Sequence, residues 1–229
     1  MKSRLSIIIP VLNEAAGIAG LLTQLTVLRE RGAQIIVCDG GSSDGTTALA
    51  APLADRVLDC TRGRAHQMNA GAQAADGEAL LFLHADTTLP ADADVLIEAA
   101  LSDHLWGRFD VDLAGAHRLL PVIATMMNLR SRVTGIATGD QAMFMRRETF
   151  RQVGGFAAMP LMEDIELSAR LKRAGRPACL RQRVSASARR WEKNGLWRTV
   201  FLMWRLRLAY FFGADPRRLA VAYGYGSGK

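Results

Sequence analysis

The chain has 229 residues, 49% of them apolar and 22% charged. That supports one large domain with an appendage and excludes a disordered chain. Its formal charge of +7 is unevenly placed: from Arg170 onward 15 basic residues stand against 2 acids (+13), while the residues before it carry 14 against 20 (−6).

The three cysteines, Cys38, Cys60 and Cys179, are odd in number and form no CxxC pair. This argues against a disulfide framework or a zinc site and predicts a reducing, cytoplasmic compartment. In the basic part, arginines alternate with large apolar residues, a pattern that suits a membrane surface or a phosphate-bearing substrate better than nucleic acid. No apolar run approaches the roughly 20 residues of a membrane span. The run behind Met-Lys-Ser-Arg is too short for a secretory leader.

Leu5 to Pro10 is a short β-branched run ending in proline and reads as a buried strand. Asn13-Glu14 opens a helix with apolar positions Ile18, Leu21, Leu22, Leu25 and Leu28, ended by Gly32. Gln34 to Cys38 is a second strand. It runs into Asp39-Gly40-Gly41-Ser42-Ser43-Asp44-Gly45-Thr46-Thr47, a turn and helix start rich in capping residues. Arg56 to Leu58 is a third strand, Ala65 to Ala75 a helix, and Ala79 to Leu83 a fourth strand ending at His84-Ala85-Asp86. This alternation predicts an α/β fold with a Rossmann-like, mostly parallel central sheet flanked by helices. Ligands of such sheets bind beyond the carboxyl ends of the strands, so the three polar clusters are expected to share one crevice.

Past residue 105 the pattern changes. Phe109 to Leu113 alternates like an edge or antiparallel strand, and Leu119 to Arg132 is helical. Asp140 to Met145 reads as a strand, and Met162 to Ala174 as an amphipathic helix stopped by Gly175. Residues 195–213 form an apolar-aromatic stretch with Arg198, Arg205 and Arg207.

Six pieces stand in order: Ile7-Ile8-Ile9-Pro10-Val11-Leu12-Asn13-Glu14, Asp39 to Thr46, Gly63-Arg64-Ala65-His66-Gln67-Met68-Asn69-Ala70-Gly71, Leu83-His84-Ala85-Asp86, Glu163-Asp164 and Arg190-Trp191. Together they resemble family 2 of the inverting glycosyltransferases, the GT-A fold. The similarity is greatest to a compact bacterial subgroup whose fourth strand ends in His-Ala-Asp, some of whose members carry an arsenosugar-biosynthesis label. On that resemblance residues 1–190 form the catalytic domain, with a nucleotide half to about 104 and an acceptor half after it. Residues 191–229 form a helical basic appendage with a tail frayed from Gly224.

The resemblance implies roles. Pro10, Asn13, Glu14, Asp39 and Ser42 would hold the nucleoside, with the Asp39 carboxylate suiting the N–H of uracil and so a UDP-linked donor. The alternative for Asp39 and Asp44 is that they cap the turn. Arg64 would fork onto the diphosphate; otherwise it is a solvated arginine. Members of the family usually carry Asp-x-Asp where this chain has His84-Ala85-Asp86. Asp86 is thus the candidate ligand of Mn²⁺ or Mg²⁺, and His84 either joins it, bonds the donor or orients Asp86. Asp164 is the candidate general base, supported by Glu163, against a plain capping role at a helix start. Gly139-Asp140-Gln141 would shape the acceptor side. Arg190 and Trp191 match the family's arginine-tryptophan element, or form a cationic loop with an anchoring tryptophan. Ser187 stands where processive relatives carry glutamine, which speaks against polysaccharide synthesis.

The expected activity is transfer of a sugar from a nucleotide sugar to an unspecified hydroxyl acceptor. The competing readings are a catalytically silent nucleotide-binding or scaffold protein and a nucleotidyltransferase, though the latter wants a Gly-rich loop after the first strand. No nucleic-acid partner is expected. Residues 196–212 either pack on the core, form a homodimer interface or touch the inner face of a membrane.

Overall fold

The computed structural model describes residues 4–225, apart from the side chain of Arg190. Four strands, β1 (Leu5–Val11), β2 (Gln34–Asp39), β3 (Arg56–Asp59) and β4 (Ala79–Phe82), alternate with helices α1 (Ala15–Glu30), α2 (Thr46–Ala50) and α3 (Arg64–Ala74). They pair in parallel in the order β3-β2-β1-β4, with Ile8 opposite both Ile36 and Phe82. Then follow the two-residue β5 (Thr87–Thr88), α4 (Ala93–Asp103), β6 (Trp106–Ala114), α5 (Leu120–Thr134), a 3-10 turn at Gly139–Gln141, β7 (Phe144–Arg146) and α6 (Arg147–Gln152). The chain continues with α7 (Glu163–Ala174), β8 (Ala178–Ser187), α8 (Arg189–Asn194), α9 (Leu196–Phe211), α10 (Pro216–Ala220) and a π-type turn, Val221–Tyr225. The sheet has eight strands, β3-β2-β1-β4-β7-β6-β8-β5, with β7 and β5 antiparallel to their neighbours.

Strands covered on both faces need apolar side chains at successive positions. Ile7, Ile9 and Val11 of β1 enter one core, against Ile18, Leu21, Leu22, Leu25 and Leu28 of α1. Ile8 enters the other, with Met68 and Ala72 of α3. Gly71 sets how closely α3 approaches the sheet: a Cβ there would lie 2.4 Å from Ile8 Cγ2 and 2.7 Å from Cys38 Sγ. Burial pushes the Cys38 thiol well above its ordinary pKa, with Cys60 adding to the effect.

Two expectations need correction. Phe109 to Leu113 belongs to β6, which is not an edge strand: it pairs antiparallel with β7, as the other expectation had it, and parallel with β8. Its polar positions are buried as an internal network: Arg108 donates to Asp110, to Ser131 Oγ (3.1 Å) and to the Asn128 carbonyl (3.2 Å). The segment 140–145 begins as the 3-10 turn and becomes strand only at Phe144. The C-terminal helices form a third small cluster, in which Leu206, Leu219 and Ala220 pack with Leu161 and Met162, just ahead of α7. Of the tail expected to fray from Gly224, residues 226–229 lie outside the described residues.

Candidate active site

The loop after β1 and the loop after β2 are tied together. The Asn13 amide donates to Ser42 Oγ (2.8 Å), and Asn13 Oδ1 accepts from the Ser43 amide (2.9 Å). Asn13 adopts φ +54°, a left-handed conformation that asparagine tolerates better than most residues. Asp39, 3% exposed, accepts from the amides of Gly41 (2.9 Å) and Ser42 (2.8 Å) and from the Ser42 hydroxyl. Asp44 accepts from the amides of Thr46 and Ala15, both at 3.0 Å, so one carboxylate caps two helix starts. The Thr46 hydroxyl, ahead of the Ala15 amide, holds its carboxyl below the usual range. Gln67 of α3 clamps the ends of β1 and β2 by donating to the carbonyls of Val11 (2.8 Å) and Cys38 (2.7 Å). Pro10 is buried inside β1.

Beyond β4, His84 meets the 3-10 turn. Its Nδ1 lies 3.3 Å from Asp140 Oδ1. Its Nε2 stacks against Gly139, where an added Cβ would come within 2.3 Å. The turn is held from behind: the Thr138 amide donates to Gln141 Oε1, and Gln141 Nε2 donates to Asn128 Oδ1, both at 3.2 Å. The Gly139 amide in turn donates to Asp164 Oδ2 at 2.8 Å. His84, Gly139, Asp140 and Asp164 thus form one contiguous group. Burial alone would raise the Asp140 carboxyl. The His84 hydrogen bond and the charges of His84, Arg64 and Arg207 outweigh it and hold the carboxyl below its ordinary range.

Glu163 and Asp164 begin α7 behind Met162, whose φ of +71° is strained for a non-glycine residue. With Glu166 they put three acids in the first turn, where the helix dipole favours them. Glu163 is buried, and burial together with the Asp164 charge raises its carboxyl pKa. A small recess is lined by Met68, Phe82, His84, Gly139, Met143, Phe156, Glu163 and Asp164.

Arg64, the first residue of α3, feels the charges of Glu163 and Asp140. Its guanidinium carbon lies 5.7 Å from the centre of the Tyr225 ring, within cation–π range. Ala85 packs on the core, while the Asp86 side chain is exposed. Arg189 Nη2 reaches Glu14 Oε2 at 3.4 Å, linking α8 to the start of α1. Trp191 packs on the core beside it, and the Arg190 side chain lies outside the described residues.

Among the described residues no three His, Cys, Asp or Glu side chains cluster as metal ligands. Asp86 offers one exposed carboxylate, while the His84 ring is engaged by Asp140 and Gly139. Such a donor set suits a hard divalent ion only if an anionic ligand brings most of the oxygens.

Sequence reasoning missed Asp140 as the partner of His84, and it missed Arg130 of α5. Burial, and then Arg207 beside it, push the Arg130 guanidinium down to about 10, against an opposing pull from Asp164. Arg130 belongs to no motif, and Asp140 stood in Gly139-Asp140-Gln141 only as a shaper of the acceptor side; its pairing with His84 exists only once folding brings the two together.

The profile of "Glycosyl transferase family 2" matches residues 6–152. The chain is 32% identical over 194 residues to the succinoglycan biosynthesis protein ExoA of Rhizobium meliloti, covering 74% of this chain and 58% of that protein. It is 36% identical over 107 residues to a PGL/p-HBAD biosynthesis glycosyltransferase of Mycobacterium bovis, covering 43% and 42%. The chain therefore spans about half the length of these relatives. Among solved structures, mannosyltransferase PcManGT from Pyrobaculum calidifontis, in complex with GDP-Man and Mn²⁺, superposes with a TM-score of 0.66. It is 21% identical and covers 98% of this chain and 70% of that one. S. aureus TarS 1-349 in complex with UDP-GlcNAc gives 0.62 at 17% identity, covering 80% and 58%. At these identities the structural likeness establishes the fold.

Proposed function

The chain belongs to glycosyltransferase family 2, and from that premise we propose that it moves a sugar from a nucleoside-diphosphate sugar to an acceptor hydroxyl with inversion. The observation that carries this is the Asp164 carboxylate, fixed by the Gly139 amide at 2.8 Å and facing the same recess as His84. In this reading the acceptor oxygen attacks the anomeric carbon and its proton passes to Asp164. The bond from that carbon to the β-phosphate oxygen breaks, and its electron pair leaves with the diphosphate. One displacement inverts the sugar. Glu163, whose carboxyl pKa is raised by burial and by the neighbouring Asp164, stands beside it in support.

Pro10, Asn13, Glu14, Asp39 and Ser42 surround the nucleoside in this reading. Asp39 acts by shaping its loop, since its oxygens already accept three hydrogen bonds. Uridine is the favoured base and guanosine the competing one. Arg64 serves the diphosphate, with His84, Ala85, Arg190 and Trp191 around the donor. Asp86 is the residue that would hold Mn²⁺ or Mg²⁺, which would neutralise charge developing on the leaving group.

No helix among the described residues is long and apolar enough to cross a membrane. We place the chain against a membrane surface through 196–212. Trp197, Phe201, Trp204, Leu208 and Phe211 recur at helical spacing along α9 and are 61, 68, 67, 60 and 82% exposed. Arg198 and Arg205 are exposed beside them, with no acid between Lys193 and Ala214, which suits anionic lipid.

Calorimetric titration with UDP, GDP and their sugars in Mn²⁺ tests the reading. Wild-type protein should bind a nucleotide, and Asp164→Ala should retain that binding while losing turnover by about 10²–10⁴-fold. A wild-type chain indifferent to millimolar nucleotide, or an Asp164→Ala protein with full turnover, would defeat it.

A further inference from the structure

α5 carries two arginines two residues apart with opposite fates. Arg132 donates to Asp110 Oδ2 (2.5 Å) and to the Cys179 carbonyl (3.0 Å). Arg130 Nε and Nη2 are closed off from solvent and have no hydrogen-bond partner. The same holds for Arg207 Nε on α9. Both arginines come to the Asp164 end of the crevice: Leu206, next to Arg207, packs with Met162 just ahead of α7, and Asn128, two residues before Arg130, accepts from Gln141 in the turn that holds Asp164. The Arg207 charge opposes that of Arg130. Arg207 in turn acts on Asp140. Buried donors left unmatched destabilise the fold, and the like charge of the second arginine adds repulsion. The fully buried Arg108, by contrast, has a partner for each of its three guanidinium nitrogens.

We propose that Arg130 and Arg207 form a phosphate-binding subsite for the acceptor, whose phosphate group they grip while its hydroxyl lies at Asp164. This rests on the reading of Asp164 as the base that takes the acceptor's proton. A phosphate supplies several acceptor oxygens to a guanidinium fork and bridges two such forks better than a neutral sugar could. The subsite belongs to the acceptor rather than the donor because its arginines come from α5 and α9. The nucleotide loops follow β1, β2 and β4, and the arginine on that side is Arg64.

The phosphate could be carried by a soluble ester or by a lipid head group, and the experiment separates the two. Wild-type, Arg130→Gln, Arg207→Gln and Arg207→Lys proteins are titrated with glycerol, inorganic phosphate and glycerol 3-phosphate. They are also mixed with phosphatidylcholine vesicles with and without phosphatidylglycerol. UDP and GDP titrations in Mn²⁺ run in parallel. Wild type should bind both phosphates and not glycerol, or bind phosphatidylglycerol vesicles alone if the source is lipid. The glutamine variants should lose about 10-fold or more of that affinity, with nucleotide affinity unchanged, and Arg207→Lys should fall between. Since each glutamine removes unmatched buried donors, circular dichroism should show folded variants. Equal phosphate affinity in all four proteins, or adventitious anion binding that the variants keep, overturns the subsite. Loss of nucleotide affinity in the glutamine variants assigns the pair to the donor and also overturns it. Failure of wild type to bind any nucleotide would instead strike the glycosyl-transfer reading.

Discussion

His84 Nδ1 and Asp140 Oδ1 meet at 3.3 Å across the crevice, 56 residues apart in sequence. The segment after the fourth strand thus carries an imidazole that has its own acid. Asp140 has a lowered pKa, so its contribution to stability is present above the ordinary carboxylate value of 3.8 and is lost as pH falls through the lowered one. Asp140→Asn should therefore melt below wild type at neutral pH, with the two curves converging in acid. The Asp140 side chain is 46% exposed, so solvent screening limits the gap to about 1–3 °C. Scanning calorimetry from pH 7 to pH 3 measures it; a constant gap would mean that the pair contributes nothing.

Gly139 is the hinge of the same group. Its amide holds Asp164, and its missing side chain makes room for His84. Gly139→Ala should displace the imidazole and loosen Asp164; if Asp164 takes the acceptor's proton, kcat falls by about 10-fold to 100-fold with nucleotide affinity unchanged. Steady-state kinetics beside calorimetric titration checks this, and an undisturbed kcat would show that the close contact is harmless.

Glu163 runs the opposite way to Asp140. Its pKa is raised by burial and by Asp164, so the ionised form costs stability, and that cost grows as pH rises from the unfolded value of 4.5 through the folded one. Glu163→Gln should raise Tm at pH 7–8, by about 2–4 °C for each kcal/mol regained. The gain should vanish on acidification while turnover drops. A variant less stable than wild type at pH 8 would contradict the burial argument.

The core prediction concerns Gly71. A methyl group there meets Ile8 and Cys38 side chains well inside contact distance. Gly71→Ala should cost about 1–3 kcal/mol, a fall in Tm of roughly 2–10 °C. Chemical denaturation would register it as a lower midpoint at constant slope; an unchanged midpoint would mean that α3 shifts freely.

On the surface, Phe201→Glu with Trp204→Glu should abolish flotation with phosphatidylglycerol vesicles and leave Tm within a degree or two, because both side chains already face solvent. Flotation equal to wild type would discard the membrane reading.

The first four strands were legible because strands buried on both faces must be apolar throughout. The five positions read at helical spacing in α1 are its buried ones. The part of the chain after α4 was harder to read. Arg108 and Asp110 give β6 the alternation of a half-solvated strand, yet they neutralise each other inside the sheet. β8 has Arg181, Gln182 and Arg183 exposed along its length, and sequence reading passed over it. The site shows the same division. Glu163-Asp164 and His84-Ala85-Asp86 announce themselves as clusters, whereas Asp140 and Arg130 acquire meaning only through neighbours that folding brings from far along the chain.

α9 carries its bulky aromatic residues on one side and Arg207 roughly a quarter turn away. Were the aromatic side to rest on a bilayer, Arg207 would stand only about half a helix diameter, 5–6 Å, above that plane. An acceptor embedded in the lipid would then present its reacting oxygen just clear of the interface. At that height a lipid head group would come within reach of the Arg207 guanidinium.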